Sequence, residues 1–278
     1  MNPSFSTQIL LPRALEPGHL ALIRSAGFEY VEIIAEPGHF PYRDAAAVEE
    51  WKARFDSAGL QISSIQLPRN LPSLSPDAAE RDRAMDELEA AIDAAEALGA
   101  RLVILQIEPV QIGSAPLDNT TDRAGADPAR QTFCEDAIAR LSGYASPRGL
   151  ELACENANTL LTRVPALATS IENVGRSMVG VCVDTGAANL DGNIPAAIRA
   201  AGRELYHLQI NDNDSHAATG APVGAGTVPW NDVFAALREV NYSGFFVLEI
   251  TDASAGAASV ESLVSILKES AEKLRSFV

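Results

Sequence analysis

Short apolar runs alternate with helix-like stretches along this chain, and the alternation restricts its fold more than any other feature. Several runs, such as RLVILQI and FFVLEI, are apolar on both faces, as in parallel strands that are buried on both sides. Eight strand–helix units in 278 residues predict a single (β/α)8 TIM barrel over residues 1–278. The predicted strands lie near residues 6–11, 29–34, 61–67, 101–107, 150–155, 179–184, 204–210 and 244–250.

An open doubly wound sheet is the rival α/β architecture, but it usually has fewer strands. The phosphate-binding pattern G-x-G-x-x-G is also absent after the first predicted strand, so the closed barrel is favoured. Among the helices, 76–98 has the clearest limits, with Ser75 as predicted N-cap, Pro76 as first residue and Gly99 as C-terminal stop. A second amphipathic helix is predicted over 258–275.

The charge and the cysteine content indicate which classes of binding partner are disfavoured and which cellular compartment is expected. With 37 acidic and 21 basic residues, the formal charge of −16 disfavours nucleic acid and anionic membranes as partners. Three cysteines without a close pair indicate neither a disulfide framework nor a thiolate zinc site. No segment approaches the roughly 20 apolar residues of a membrane span, and the N-terminus lacks a basic leader. A cytoplasmic location is therefore the expectation.

Polar side chains stand at the ends of the last four predicted strands. They are Glu155, Asp184, Gln209 and Glu249, each in an otherwise apolar setting. Three carboxylates at one mouth of a barrel would repel one another unless a cation lay between them. With Gln209 donating its carbonyl, all the donors are oxygens, which suits Mg²⁺ or Mn²⁺ better than Zn²⁺. The four residues are thus predicted metal ligands.

Five sequence motifs, in order, carry a family resemblance that extends from the first strand to the last helix. They are ENAN after strand 5, DTG after strand 6, HLQINDND at strand 7, GAGTVPW before the next helix and LEI at strand 8. The chain resembles the xylose-isomerase-like barrels of the sugar phosphate isomerase/epimerase superfamily. In that superfamily the metal is commonly held by Glu, Asp, His and Glu. Here Gln209 takes the place of that histidine, and Ala187 stands where a further histidine often contacts substrate.

The resemblance implies a metal-dependent isomerase or epimerase acting on a small polyhydroxy carbonyl compound through an enediolate. As in the ketose 3-epimerases, Glu155 and Glu249 would be the catalytic acid and base. A lyase of the metal-dependent 3-dehydroshikimate dehydratase type is the alternative, because those enzymes resemble this chain in the strand-7 glutamine and in the Q-x-x-R spacing of Gln66 and Arg69. A sugar-binding barrel without turnover is a third possibility, motivated by the two replaced histidines.

The predicted substrate contacts lie around the same mouth. They are Arg69 and Gln66 after strand 3, Glu108 after strand 4, and His207 and Asp212 on or after strand 7. Arg69 is suited to a substrate carboxylate or hydroxyl, with a surface salt bridge as the other interpretation. His207 points to the same side as Gln209, one layer deeper, which favours packing or support of the site. The long connections 108–127 and 211–229 are predicted on the catalytic face. A homo-oligomer is a further possibility, since barrels of this kind often associate in pairs.

Overall fold

Eight parallel strands form a closed barrel in the order β1 to β8, and β1 pairs with β8 to complete it. The computed structural model describes residues 1–108, 128–157, 159–251 and 259–277. The predicted (β/α)8 architecture is therefore confirmed. The strands are β1 Asn2–Ser6, β2 Tyr30–Ile34, β3 Gln61–Gln66, β4 Leu102–Leu105, β5 Glu151–Glu155, β6 Val179–Asp184, β7 Leu205–Ile210 and β8 Phe245–Leu248.

The first strand lies earlier than the sequence pattern predicts. The run 6–11, predicted as a strand, forms a 3₁₀ helix over Thr7–Leu10, which Ser6 caps by accepting a hydrogen bond from the Gln8 backbone N–H. Ile9 and Leu10 are fully buried. A short buried helical turn and a buried strand have the same apolar appearance in sequence, because periodicity is not resolved over so few residues.

Helices follow the strands, and most of them cover the outside of the barrel wall. In the described ranges they are α1 Pro17–Ser25, α2 Ala45–Ala58, α3 Ala78–Leu98, α4 Pro128–Ala145, α5 Val164–Val174, α6 Thr185–Leu190, α7 Ile194–Ala201, α8 Trp230–Glu239 and α9 Val260–Arg275. The predicted C-terminal stop of α3 is confirmed, since Gly99 has a left-handed φ of 75°. The predicted N-cap is wrong: Asp77 caps α3, while Ser75 bonds Glu80 and the Asp77 N–H before the helix begins.

The inside of the barrel is divided into an apolar and a polar part. On β4 to β6, Leu102, Ile104, Ala153 and Cys182 form a small apolar cluster separate from the main core. Most of the buried polar side chains on β1, β2, β3 and β7 belong instead to one hydrogen-bonded group, comprising Ser4, Ser6, Glu32, Ser63, Ser64, Gln66, His207 and Gln209. Buried polar groups persist where they are hydrogen-bonded, so this interior is a structured network rather than a packing defect.

Two further features concern the chain outside the barrel wall. In the ranges that the structure describes, no helix has the length and apolar character needed to cross a bilayer. Of the predicted loop 108–127, only Glu108 lies within the described residues. The predicted loop 211–229 connects β7 to α8 and is held to itself by an antiparallel bridge between Asp212 and Ala221.

Candidate active site

Three carboxylates meet at the carboxyl ends of the later strands. Glu155 ends β5, Asp184 ends β6, and Glu249 immediately follows β8. One ligand oxygen from each lies within 4.8 Å of those of the other two. The residues are only 3%, 6% and 7% exposed, so little water screens their mutual repulsion.

The pKa values of this carboxylate cluster, Glu155, Asp184 and Glu249, are all displaced upward. Burial, with repulsion from Asp184, raises the pKa of Glu155 to about 8. Burial raises the pKa of Asp184 to about 6, against the hydrogen bonds that it accepts from the Ala187 backbone and Asn211. Burial and the charge of Glu155 raise the pKa of Glu249 well above its ordinary value. Each shift reports a charge that the protein alone leaves uncompensated.

The carboxylate cluster fits a divalent cation. Among the residues that the structure describes, none forms a hydrogen bond with the buried oxygen Oε1 of Glu249, and a buried acceptor of this kind needs a cation or a donor. The neighbouring Arg69 guanidinium lies 3.5 Å from it, beyond a good hydrogen bond. Carboxylate oxygens are donors that Mg²⁺ and Mn²⁺ prefer. The donor set and the unpaired oxygen both favour a hard divalent ion at this position.

Asp184 is held by the turn between β6 and α6. Its side chain caps α6 by accepting from the Ala187 N–H at 2.6 Å, and its other oxygen accepts from Asn211 Nδ2 at 2.5 Å. Asn156 anchors the Asp184 backbone through its N–H at 2.7 Å. Glycine at position 186 leaves space for the Asn211 side chain, because a Cβ there would overlap the side-chain oxygen of Asn211. The DTG motif thus folds into a support for one carboxylate.

Glu155 is held by two glutamine amides. Gln66 Nε2 donates to Glu155 Oε2 at 3.0 Å, and Gln106 Nε2 donates to Oε1 at 2.6 Å. Gln66 was predicted as a substrate contact, and the structure places it beneath Glu155 instead, fully buried. Sequence reasoning missed Gln106, although it follows β4 directly and is the polar residue of an apolar run. Each amide leaves further lone pairs of the carboxylate available to a ligand.

Arg69 is the predicted substrate contact that does reach the cavity. Its guanidinium donates to Gln8 Oε1 at 2.7 Å and lies 3.5 Å from carboxylate oxygens of both Glu36 and Glu249. It is therefore paired inside the molecule as well as directed at the cavity that the carboxylates line. The interpretation as a purely surface salt bridge is wrong, since the side chain is only 15% exposed.

His207 and Gln209 lie deeper in the barrel. Both are buried and bond the Glu32 carboxylate, His207 Nε2 at 3.0 Å and Gln209 Nε2 at 3.3 Å. Burial would raise the pKa of Glu32, but its hydrogen bonds, chiefly from His207, hold this pKa below its ordinary value. The Gln209 carbonyl accepts from the Cys182 thiol at 3.2 Å, and its role as a fourth metal ligand stays a prediction.

Glu108 and Asp212, like Gln66 and His207, are predicted contacts that do not line the cavity. Glu108 is bound by Arg130 and Thr159 beside the barrel mouth. Asp212 is fully buried and accepts from the backbone N–H groups of residues 213, 224 and 228 and from Trp230 Nε1. The GAGTVPW motif therefore wraps around Asp212, which organises its own loop.

A cavity of about 170 Å³ opens above the carboxylate cluster. Its wall includes positions that sequence reasoning gave no contact role, namely Gln8, Asn70, Asn213, Ala218, Gly220 and Thr251. Ala187 also lines it, so the absent histidine side chain leaves room there. Asn70 has a left-handed φ of 60°, an uncommon conformation that turns the chain at the cavity edge.

Comparison with known proteins agrees with the barrel fold. The sequence profile described as xylose isomerase-like TIM barrel matches residues 20–277. A D-psicose 3-epimerase of Agrobacterium fabrum is 26% identical over 238 residues, which cover 83% of this chain and 78% of the relative. The fold is shared by a D-psicose 3-epimerase solved in the presence of D-fructose (TM-score 0.79, 18% identity, 100% and 99% coverage). It is also shared by the IolI protein with a bound zinc atom (TM-score 0.77, 16% identity, 99% and 98% coverage).

Proposed function

The chain belongs to the xylose isomerase-like TIM barrel family, and from this premise we propose that it is a divalent-metal-dependent sugar epimerase or isomerase. The observation that carries the proposal is the convergence of Glu155, Asp184 and Glu249 within 4.8 Å at the barrel mouth. Relatives named D-psicose 3-epimerase support a ketose-like substrate, and the cavity gives such a substrate access to the three carboxylates.

In this proposal Glu155, Asp184 and Glu249 hold the cation, with Gln209 as the predicted fourth ligand. A divalent ion, Mn²⁺ or Mg²⁺, would polarise a substrate carbonyl and offset the negative charge of an enediolate. Glu155 and Glu249 exchange protons with the substrate carbon, one as base and the other as acid. They come from strands three positions apart around the barrel, so they reach the substrate from different sides.

The destination of the proton decides the reaction. Its return to the same carbon from the opposite face inverts that centre, whereas its return to the neighbouring carbon interconverts aldose and ketose. Because the curated relatives are named 3-epimerases, we favour inversion at C3 of a ketose. The paired state of Arg69 also suits an uncharged substrate, since Glu36 and Glu249 already face its positive charge.

Metal content tests the ligand assignment. Wild-type protein dialysed against Mn²⁺ is expected to retain about one ion per chain, and Glu155→Gln is expected to lose most of it. Glu151→Gln is the matched control, because it changes the same residue type at the opposite end of the same strand. Full Mn²⁺ occupancy in the Glu155→Gln protein would remove Glu155 from the metal site.

Proton exchange tests the reaction. A panel of ketoses and inososes is incubated with the Mn²⁺-loaded protein in heavy water and followed by NMR. We expect deuterium at C3 and a second epimer from at least one ketose, with Glu249→Gln abolishing both. Absence of exchange from the whole panel would leave the sugar-binding barrel without turnover as the better description.

A dehydratase of the 3-dehydroshikimate type is the second candidate, and the position of Arg69 at the cavity favours it. A guanidinium there can pair with a substrate carboxylate. Elimination of water would create a conjugated product, so ultraviolet absorbance rises when dehydroshikimate is added. A flat absorbance together with C3 exchange of a ketose would exclude the lyase.

A further inference from the structure

A chain of hydrogen bonds crosses the barrel interior from β2 to the end of β5. Gln209 Nε2 donates to Glu32 Oε1 at 3.3 Å and to Gln66 Oε1 at 3.0 Å, and Gln66 Nε2 donates to Glu155 Oε2 at 3.0 Å. The four side chains belong to β2, β7, β3 and β5 and are buried. We call this sequence of contacts, Glu32–Gln209–Gln66–Glu155, the amide relay.

Glu32 determines which edge of each glutamine amide in the relay donates and which edge accepts. The Glu32 carboxylate also accepts from Ser6 and Ser64 and bonds His207 Nε2, so donors surround both of its oxygens. An ionised carboxylate only accepts, so Gln209 must turn its NH₂ group toward Glu32. The second hydrogen of that NH₂ then meets the carbonyl of Gln66, which leaves the NH₂ of Gln66 facing Glu155. Reversing either amide would bring two acceptors together.

The far side of Gln209 supports the same orientation. Its carbonyl accepts from the Cys182 thiol at 3.2 Å, on β6. The amide is thus held between an acceptor on β2 and a donor on β6, and the relay still leaves a second lone pair on its carbonyl. Both glutamines have one orientation in which every buried polar atom of the relay is paired.

We propose that Glu32 is a positioning residue for the metal site, acting on Glu155 through the fixed orientation of Gln209 and Gln66. The inference rests on the proposed function, because Glu155 is there a metal ligand and an acid–base group. With Gln66 on Oε2 and Gln106 on Oε1, the free lone pairs of Glu155 are directed by donors that Glu32 and β4 keep in place. Groups that orient a ligand in this way affect metal affinity without contacting the metal.

The alternative is that Glu32 and His207 form a buried pair that only stabilises the barrel. The two interpretations differ in what they predict for metal binding. A purely stabilising pair changes the free energy of unfolding and leaves the Mn²⁺ dissociation constant of the folded protein unchanged. If the relay positions Glu155, substitution of Glu32 changes the Mn²⁺ dissociation constant, and the effect depends on Gln66.

The test is a double-mutant cycle on the Mn²⁺ dissociation constant, measured from the electron paramagnetic resonance signal of free Mn²⁺. Glu32→Gln and Gln66→Met are each expected to weaken binding by about 10-fold or more. The double variant is expected to bind about as weakly as the weaker single variant, because both changes break the same relay. Ser64→Ala is the matched control: it removes one hydrogen bond to Glu32, leaves the relay intact and should bind within about twofold of wild type.

Unchanged Mn²⁺ affinity in Glu32→Gln, or fully additive effects in the double variant, would overturn the proposal. If Glu32→Gln does not fold, the Mn²⁺ dissociation constants of Gln66→Met and Ser64→Ala are compared. Equal constants for those two variants count against the relay. A wild-type protein that binds no Mn²⁺ overturns the proposed function and this inference together. If the wild-type protein binds Mn²⁺ and exchanges ketose hydrogens normally, and Glu32→Gln leaves the Mn²⁺ affinity unchanged, the inference alone is overturned.

Discussion

At the scale of single residues, the three carboxylates are distinguished by what holds them. Glu155 is held by two glutamine amides, and Asp184 by a helix N-terminus and Asn211. Within the described part of the chain, the side chain of Glu249 has the Arg69 guanidinium at 3.5 Å from Oε1, and this oxygen accepts no hydrogen bond. The least satisfied acceptor is therefore the one that gains most from a cation, because its desolvation is otherwise uncompensated.

The raised pKa of Glu155 predicts how the metal-free protein responds to pH. In the folded state the pKa of this carboxyl is about 8, against 4.5 ordinarily, so the folded state retains a proton that the unfolded chain releases. The contribution of Glu155 to the free energy of unfolding is thus greatest below about pH 4.5, and it falls as the pH rises toward about 8. Urea unfolding in the presence of a chelator measures the slope.

Glu155→Gln provides the control for that slope. Because glutamine does not titrate, the variant should show a shallower decline in the free energy of unfolding over the same pH window. Asp184, with its pKa raised to about 6, contributes in the same direction and should remain visible. A wild-type free energy of unfolding that increases steadily between about pH 5 and pH 8 would contradict the assignment.

At the scale of elements, the site depends on how turns leave the strands. Asp184 is the N-cap of the short helix α6, and its carboxylate accepts a hydrogen bond from the Ala187 N–H in the first turn of the helix. The loop after β7 folds around Asp212 and sets Asn213 on the cavity wall. Loops therefore shape the wall, while strand ends supply the floor, as barrel geometry requires.

Gly186→Ala tests the turn between β6 and α6. The added methyl group would overlap Asn211, which must then move away from Asp184. We expect weaker Mn²⁺ binding, by about 10-fold, with a small loss of stability, because the change is confined to one turn. Gly143→Ala is the control, because Gly143 lies on helix α4 and the three atoms nearest to an added Cβ belong to the Arg176 side chain. Equal Mn²⁺ affinities of the two variants would refute a role for the turn.

At the scale of the whole molecule, the barrel interior combines a packed part with a network of buried polar groups. Apolar residues fill the space between β4 and β6, whereas a buried carboxylate, a histidine and two glutamines fill the opposite side. Such a network is stable only when its members are all paired, so it constrains the relative positions of strands distant in sequence. A cation at the mouth would link β5, β6 and β8 as well.

Metal binding is accordingly expected to stabilise the entire barrel. Free Mn²⁺ at about 100 times its dissociation constant should add about 2.7 kcal/mol to the free energy of unfolding. Differential scanning fluorimetry with and without Mn²⁺ measures the corresponding rise in Tm. Glu155→Gln should show little rise, and Glu151→Gln should match wild type. An Mn²⁺-dependent rise of equal size in all three proteins would indicate that the ion binds elsewhere.

The sequence by itself determined the barrel and the carboxylates at its mouth. Alternating periods count the strand–helix units, and parallel strands of a barrel all present their carboxyl ends at one face, so Glu155, Asp184 and Glu249 were predictable without coordinates. The first strand was misplaced because a buried helical turn has the same apolar pattern as a strand.

Only the tertiary structure decided where the remaining polar side chains point. Gln66 lies under Glu155, Gln106 joins it from β4, Asp212 turns into its own loop, and Gln209 faces Glu32 across the barrel. These outcomes depend on distances between strands far apart in sequence and on which amide edge meets which acceptor. The spacing of residues along the sequence gives neither these distances nor the amide orientations, because hydrogen-bond partners on distant strands come together only when the barrel closes.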